Sequence, residues 1–315
     1  MGVFGLNRYL RNNCKNALNE TNMKELKGKT IAVDISIYLY KFKGFDCLIS
    51  EMYLMFRLFK DNEITPIFIF DGKPKADKKE LLKHRREEKL KNIALYDEIQ
   101  LKVETEDIIL QNSMKLKIKR LKQQCVCMTA IDIAEVKKLM VAFGFTFYVH
   151  TTEADQLCAH MVKEEKAFAC LSEDMDLLMY GCPRVLRYMN LRNHTFKMYN
   201  LKSILKDLNI DLINFRIICT LAGTDYNFNN TNNSCNIDYY FAKFYEYRNT
   251  DFNTSFLDWC LKYKLVINIA EVNRVICIFE EECIFEETTN LSIYSKHSVH
   301  DILKSDGFIF PLTSI

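Results

Sequence analysis

Short apolar runs alternate with polar turns along the first two thirds of the chain, and acidic residues follow several of the runs. These junctions are 31–33 before Asp34, 67–70 before Asp71, and 167–171 before Asp174 and Asp176. Short apolar runs bounded by turn residues predict buried strands of a parallel sheet. Because ligands of an open α/β sheet bind beyond the carboxyl ends of its strands, we expect three strands to deliver these acids to one edge.

Helical spacing of apolar residues fills the intervals between the predicted strands. Strands are predicted at 30–34, after Pro66, and at 145–149, 167–171 and 185–188. Helices are predicted at 35–42, 48–60, 130–143, 153–165, 201–207, 212–222, 237–247, 254–263 and 271–281. This alternation predicts an α/β fold. The first 30 residues predict an arm with a short helix, and residues 227–236 predict an Asn-rich loop. The last twenty residues show only a weak pattern of apolar positions.

Residues 75–124 have a different character from the rest of the chain. They are rich in Lys, Arg and Glu and contain no Gly or Pro. This composition predicts one or two long charged helices that project from the sheet. A solvated amphipathic hairpin without a binding role is the alternative.

The bulk composition is that of a globular protein. The chain has 315 residues, 49% hydrophobic and 27% charged, with a formal net charge of +2. Near-neutrality does not exclude a nucleic-acid partner, because a local basic patch is what binds phosphate. No apolar run is long enough for a membrane span and no signal peptide is visible, so we expect a soluble intracellular protein. The 12 cysteines form no CxxC pair, which favours free thiols.

Further acids join those at the strand ends. Glu153 and Asp155 open the helix predicted at 153–165, and Asp225 follows 219–224. Each of these acids alone is explained by a helix N-cap or a solvated turn. A cluster of them repels itself unless cations bind, and Mg²⁺ prefers such oxygen ligands.

Six segments together resemble the blocks of one known family. They are 1–6, 32–36, 70–74, 153–155, 173–176 and 221–226. In this order they resemble the flap endonuclease family, the XPG-type structure-specific 5′ nucleases. The resemblance implies a PIN-like α/β nuclease core with a parallel sheet, a helical arch and a C-terminal helical region of degenerate helix-hairpin-helix type.

The resemblance also implies a role for individual residues. The ligands of two Mg²⁺ ions, for which Mn²⁺ substitutes, would be Asp34, Asp71, Glu153, Asp155, Asp174, Asp176 and Asp225. Lys78 and Arg85 would be catalytic, on one face of the helix after the turn 71–74. Contacts to DNA would come from Gly2, Tyr40, Lys75, Lys83 and Arg86. Of these, Tyr40 would stack on a nucleotide, with core packing as its alternative, and Gly2 would lie near the metals.

Four features depart from the family pattern. Asp155 stands where eukaryotic-type members carry Glu, and the segment between Phe42 and Asp71, which holds 3′-flap contacts in the family, is short. Residues 227–236 contain no Gly, whereas the family has a glycine-rich hairpin there. No sliding-clamp motif is found near the C-terminus, where residues 308–312 form the last apolar run.

We expect three regions: a nuclease core at 1–226 that includes an arch at 75–124, a helical duplex-binding region at 227–290, and a tail at 291–315. The expected function is divalent-metal-dependent cleavage of branched DNA with 5′ flaps in replication, repair or recombination. A 5′–3′ exonuclease, a junction-resolving enzyme, an RNA nuclease and a non-catalytic DNA-binding relic are the alternatives. We expect a monomer that acts in the nucleus, of a host cell if the protein is viral.

Overall fold

The computed structural model describes residues 2–102, 108–227, 236–250, 254–266, 268–283 and 295–307, without the side chains of 108–112. Most of the predicted Asn-rich loop at 227–236 lies outside these ranges, as do parts of the predicted tail at 291–315. Within the described residues, the cysteines are free thiols and no helix is both long and apolar enough to cross a membrane.

One mixed sheet organises the described residues, and its seven strands run in the order β1-β7-β6-β5-β2-β3-β4. The strands are β1 (Leu18–Asn22), β2 (Thr30–Asp34), β3 (Thr65–Phe70), β4 (Thr146–Val149), β5 (Ala169–Leu171), β6 (Arg184–Asn190) and β7 (Thr195–Asn200). The five strands from β6 to β4 are parallel, whereas β7 and then β1 extend the sheet at one end through antiparallel pairing. The α/β class with a parallel sheet is therefore confirmed.

Helices cover both faces of this sheet. They are α1 (Leu6–Asn13), α2 (Ile35–Gly44), α3 (Leu48–Asp61), α4 (Lys79–Lys102), α5 (Ile108–Gln124), α6 (Ala130–Phe143), α7 (Ala154–Lys163), α8 (Asp176–Met179), α9 (Leu201–Asp207), α10 (Leu212–Ala222), α11 (Ile237–Thr250), α12 (Phe256–Lys262), α13 (Ile269–Glu280) and α14 (Lys296–Ser305). Successive side chains of β2 point to opposite faces of the sheet and pack into two separate hydrophobic cores. Ile31 and Val33 pack with α2, α3 and α6, and Ala32 packs on the opposite face with α7 and α10.

The register of the parallel strands aligns their carboxyl ends. Val33 of β2 lies opposite Leu171 of β5 and Phe68 of β3. The residues that follow these three positions therefore leave the sheet at the same edge. This alignment places the acidic residues of the sequence together.

Helices α4 and α5 occupy the charged region at 75–124 and pack against each other. The two long helices predicted there are present. Only Leu81 and Ile99 are buried along α4 among its 24 residues, so almost all of this helix faces solvent. A region of this kind offers basic side chains without contributing to the core.

The prediction missed four elements: β1, β7, α8 and α14. Strand β1 carries a polar sequence with a single buried residue, Thr21, and is held by main-chain pairing with β7. Helix α14 lies inside the predicted tail and packs on α6 with only Val299 and Leu303 buried. Edge elements like these bury too few side chains to leave a clear periodic pattern.

Candidate metal centre

Four strands, one more than predicted, lead to the acidic residues. Asp34 ends β2, Asp71 follows β3, Glu153 and Asp155 follow β4 at the start of α7, and Asp174 and Asp176 follow β5. The additional strand is β4, because the short loop after Val149 runs directly into the N-terminus of α7. The carboxyl edge of the sheet thus carries six of the seven predicted ligands.

The seventh acid, Asp225, comes from a helix end. Helix α10 stops at Gly223, which has φ 110°, and Asn227 fixes the following turn by accepting from the backbone N–H of Thr224 at 2.8 Å. This turn directs Asp225 toward the strand ends. Carboxylate oxygens of Asp174, Asp176 and Asp225 all lie within 4.8 Å of one another, and the three residues are buried.

Hydrogen bonds fix the remaining acids. Asp34 caps α2 by accepting from the backbone N–H of Ser36 at 3.2 Å, and its other oxygen accepts from Ser172 Oγ at 2.9 Å. Asp71 accepts from the backbone N–H of Ala154 at 2.8 Å, which ties β3 to the start of α7. The helix-cap interpretation is therefore true of Asp34, which also faces the acidic cluster.

Burial makes the ionised carboxylates costly in the metal-free protein. It raises the pKa of Asp34 to about 8, helped by the nearby charge of Asp71. Burial likewise raises the pKa of Asp174, and it places those of Asp155 and Asp176 well above the usual value. Carboxylates in such surroundings need a positive partner in order to ionise at neutral pH.

The cluster has the donor set of a divalent cation site. Within the described residues, both carboxylate oxygens of Asp176 and Oδ1 of Asp155 are buried without a hydrogen-bond partner. Buried polar atoms normally have one, so these oxygens are available to an ion. An all-oxygen set of carboxylates suits hard cations such as Mg²⁺ or Mn²⁺.

Two basic residues reach the same carboxylate. Lys78 Nζ lies 2.8 Å from Glu153 Oε1 and 4.0 Å from Asp225 Oδ2, and Arg85 donates to Asp225 Oδ2 at 2.9 Å. Burial alone would lower the Lys78 pKa, but the charges of Glu153 and Asp176 outweigh it and raise this pKa. Lys78 is therefore a protonated ammonium beside the acids.

Lys78 and Arg85 point toward the same carboxylate, Asp225, but the prediction that one helix carries both residues is wrong for Lys78. Lys78 ends a 3-10 turn, Ala76–Lys78, that precedes α4, whereas Arg85 lies within α4. Lys78 is only 8% exposed, so it does not belong to a solvated face either. The two side chains meet because Asp225 approaches them from α10.

Tyr226 is a site residue to which the sequence assigned no role. Its hydroxyl donates to Glu153 Oε2 at 2.5 Å and lies 3.0 Å from the hydroxyl of Tyr180. Lys78 Nζ lies 4.6 Å from the centre of its ring. The available signal was its position directly after Asp225.

Gly2 lies against the acids, and no other residue fits there. It has φ 77°, and a Cβ on it would come within 2.2 Å of Asp174 Oδ1 and 2.5 Å of Asp176 Oδ1. Glycine is therefore required for both backbone conformation and space. A cavity of about 480 Å³ opens beside it and is also lined by Arg85 and Asp225.

The other predicted DNA contacts lie outside the acidic cluster. Tyr40 is 52% exposed on α2, which contradicts the core-packing alternative for this side chain. Lys83 and Arg86 are exposed on α4. Lys75 pairs instead with Glu281, at 2.5 Å.

Comparisons with known proteins agree with this arrangement. The XPG N-terminal domain model matches residues 1–92, and the XPG I-region model matches residues 144–225. Flap endonuclease 1 of Brugia malayi is 30% identical over 250 residues, which is 72% of this chain and 62% of that protein. The chain spans about three fifths of the length of the first curated relatives it matches.

Solved structures show the same fold. The catalytic core of Rad2 in complex with DNA substrate matches with a TM-score of 0.68 and 19% identity, over 98% of this chain and 95% of that one. Human GEN1 in complex with Holliday junction DNA matches with a TM-score of 0.62 and 16% identity, over 98% of this chain and 74% of that one. The fold and the two matched models, which together cover more than half of the residues, define the class. The chain belongs to the XPG family.

The raised pKa values predict how pH affects the stability of the metal-free protein. An unfolded Asp titrates near 4, so between about pH 4 and 8 the folded chain holds more protons than the unfolded one. Stability in EDTA should therefore fall as pH rises through this window. We expect a lower Tm at pH 8 than at pH 6.

Saturating Mg²⁺ or Mn²⁺ should reverse this loss, raising Tm by roughly 5 °C at pH 8 and by less at pH 6. Differential scanning calorimetry at both values, with and without the ion, measures the effect. A metal-induced increase equal at the two pH values would contradict the assignment.

Proposed function

We propose that this protein is a divalent-metal-dependent, structure-specific 5′ nuclease that hydrolyses phosphodiester bonds of branched DNA with a 5′ single strand. The observation that carries the proposal is the meeting of the acidic cluster with Lys78 and Arg85 at Asp225. Membership of the XPG family and relatives named flap endonuclease support it. The expected processes are DNA replication, repair and recombination.

Two Mg²⁺ ions, replaceable by Mn²⁺, form the proposed cofactor. Their ligands would come from the seven acids, with the buried pair Asp174 and Asp176 at the centre beside Asp225. When bound, such ions generate a hydroxide nucleophile from water and stabilise the leaving oxygen of a phosphodiester. Buried carboxylates that ionise only beside a positive partner are suited to holding such ions.

Lys78 and Arg85 supply positive charge that the protein itself holds. A phosphodiester that enters the acidic cluster is repelled by the carboxylates, and the ammonium and guanidinium groups offset this repulsion. Lys78 is fixed by burial and by Glu153. The side chain of Arg85 is 44% exposed and lines the cavity, so it is accessible to a phosphate.

Exposed residues around the cluster suit a single strand. Tyr40 presents an aromatic ring on which a base can stack, which is sequence-tolerant. Lys83 and Arg86 lie on the exposed surface of α4 and can neutralise backbone phosphates without reading bases. Recognition would then depend on the shape and flexibility of the DNA.

The experiment is single-turnover cleavage of an end-labelled double-flap DNA with Mg²⁺, beside Asp174→Ala as the control. We expect cleavage at the base of the 5′ flap by the wild type and none by the variant. Cleavage only at nicks or 5′ ends would favour the exonuclease, and preference for a four-way substrate the junction-resolving enzyme. Binding without cleavage in Mg²⁺ and Mn²⁺ would favour a DNA-binding relic. Matched RNA flaps test the remaining alternative.

As part of the same proposal, the protein acts as a monomer on nuclear DNA. The proposal also assigns a role to two regions. The arch at 75–124 admits the 5′ strand, and the helices of 227–290 hold the duplex. Helices α11 to α13 pack against the core through the same apolar cluster as α10. This packing would keep a bound duplex at a fixed distance from the acids.

A further inference from the structure

Strand β6 carries a buried arginine, Arg187. It is 5% exposed and lies directly before Tyr188, a non-glycine residue with φ 54°. The β6–β7 pairing is irregular between Arg187 and Asn190. A left-handed backbone and a buried charge both cost free energy, which the contacts of this arginine must offset.

Arg187 holds the loop that carries two of the acids. Its Nη2 donates to the backbone carbonyl of Glu173 at 2.7 Å, and its Nη1 lies 2.6 Å from Met175 Sδ. These two residues are the sequence neighbours of Asp174 and Asp176. The left-handed Tyr188 adds a bond to the same loop, because its backbone N–H donates to Glu173 Oε1 at 2.6 Å.

The same guanidinium also holds the N-terminal segment. Arg187 Nη1 donates to Asn7 Oδ1 at 2.9 Å, and Tyr199 donates to the same oxygen at 2.8 Å. Asn7 lies in α1, five residues after Gly2, which touches Asp174 and Asp176. The backbone N–H of Phe4 donates to the carbonyl of Gly223 at 3.0 Å, two residues before Asp225. The N-terminal segment therefore contacts both acid-bearing loops, and Arg187 fastens it to one of them.

We propose that Arg187 is a positioning residue that sets the spacing of Asp174 and Asp176 for the metal ions by clamping their loop to the N-terminal segment. The inference rests on the proposed function, because the metal and the cleaved phosphate are part of that proposal. A planar guanidinium can donate to Glu173 and Asn7 together, whereas the single ammonium of lysine cannot reproduce this fork. Residues that orient metal ligands in this way change metal affinity or activity by about 10- to 100-fold when they are replaced.

The test is Arg187→Lys, with Arg184→Lys as the matched control. Arg184 lies on the same strand and also donates to a backbone carbonyl, that of Phe168 at 2.5 Å, but it contacts none of the acids. Three quantities are measured, of which the first two are the Mn²⁺ concentration needed for half of the metal-induced increase in Tm and the single-turnover cleavage rate at saturating Mn²⁺. DNA affinity in EDTA is the third readout.

We expect Arg187→Lys to require about 10-fold more Mn²⁺ and to cleave about 10- to 100-fold more slowly, with DNA affinity unchanged. Arg184→Lys should leave all three values near those of the wild type. Equal metal requirements for the wild type and Arg187→Lys, or equal losses in the two variants, would overturn the proposal.

If Arg187→Lys does not fold, Asn7→Ala replaces it. This variant removes the acceptor that joins the guanidinium to α1, and we expect the same changes to a smaller extent; an unchanged metal requirement would also overturn the inference. A wild type that binds Mn²⁺ but cleaves no DNA would refute the proposed function alone, since the metal-induced Tm change still tests Arg187.

Discussion

Replacing Asp176 with Asn is expected to lower the single-turnover cleavage rate by at least about 10³-fold while leaving DNA affinity in EDTA intact. Both carboxylate oxygens of Asp176 are buried without a hydrogen-bond partner in the described structure, and they face Asp174 and Asp225. Asn keeps the shape of the side chain but removes the charge that a divalent ion requires. End-labelled double-flap DNA with Mg²⁺ is the substrate for this measurement.

The same substitution should stabilise the metal-free protein. Burial and the neighbouring charge of Asp174 raise the pKa of Asp176, so the neutral amide relieves a repulsion. In EDTA at pH 8 we expect a higher Tm than for the wild type, and a smaller increase on adding Mn²⁺. Loss of activity together with a lower Tm would indicate misfolding and not a missing ligand.

Asp132→Asn is the matched control. Asp132 is buried like Asp176, with 8% of it exposed against 1%, but it pairs with Lys43 and belongs to the capping box of α6. Its replacement should cost stability and leave the cleavage rate within about 2-fold of the wild type, because it lies outside the acidic cluster. A variant of Asp176 that cuts as fast as this control would reject the metal assignment.

Lys78→Met is expected to slow the chemical step by about 10²- to 10³-fold. Methionine preserves most of the side-chain volume at a buried position but removes the ammonium that lies 2.8 Å from Glu153. Without this charge, the transferring phosphate loses a fixed cation beside the acids. The measurement is the single-turnover rate at saturating enzyme and Mg²⁺, which separates chemistry from binding.

Lys79→Met is the control for this experiment. Lys79 is the next residue and is exposed. It should change DNA affinity modestly and leave the single-turnover rate unaltered, because exposed phosphate contacts act on binding. A normal rate for Lys78→Met, or equal losses for the two lysines, would remove Lys78 from the chemistry.

Much of the sheet and most of the helices were predictable because they bury regular apolar patterns. Strand β2 has five residues of which four are buried, and the run 67–70 in β3 is wholly apolar with three of its four residues buried. Elements at the edge of the sheet were not predictable, because they bury too few side chains to give a regular apolar pattern. Strand β1 buries only Thr21, and its position depends on pairing with β7, more than 170 residues away in the chain.

The residues of the candidate site also fall into those that the sequence could predict and those that it could not. The seven acids were identifiable because they interrupt or follow apolar runs and match ordered family blocks. The position of Arg85 within the predicted helix was correct, whereas Lys78, expected on the same helix, lies in the 3-10 turn before α4. Tyr226 and Arg187 left no periodic signal at all, since each acts through a contact with a distant segment.

By itself, then, the sequence determined the α/β class, the family and the identity of the acids, because these depend on local patterns and short motifs. Only the tertiary structure decided which charges face one another. Arg85 meets Asp225 across 140 residues, and Gly2 meets the loop after β5 through the packing of α1. Such contacts follow from strand register and helix packing. Both depend on many residues of the core together, so no single position in the sequence predicts them.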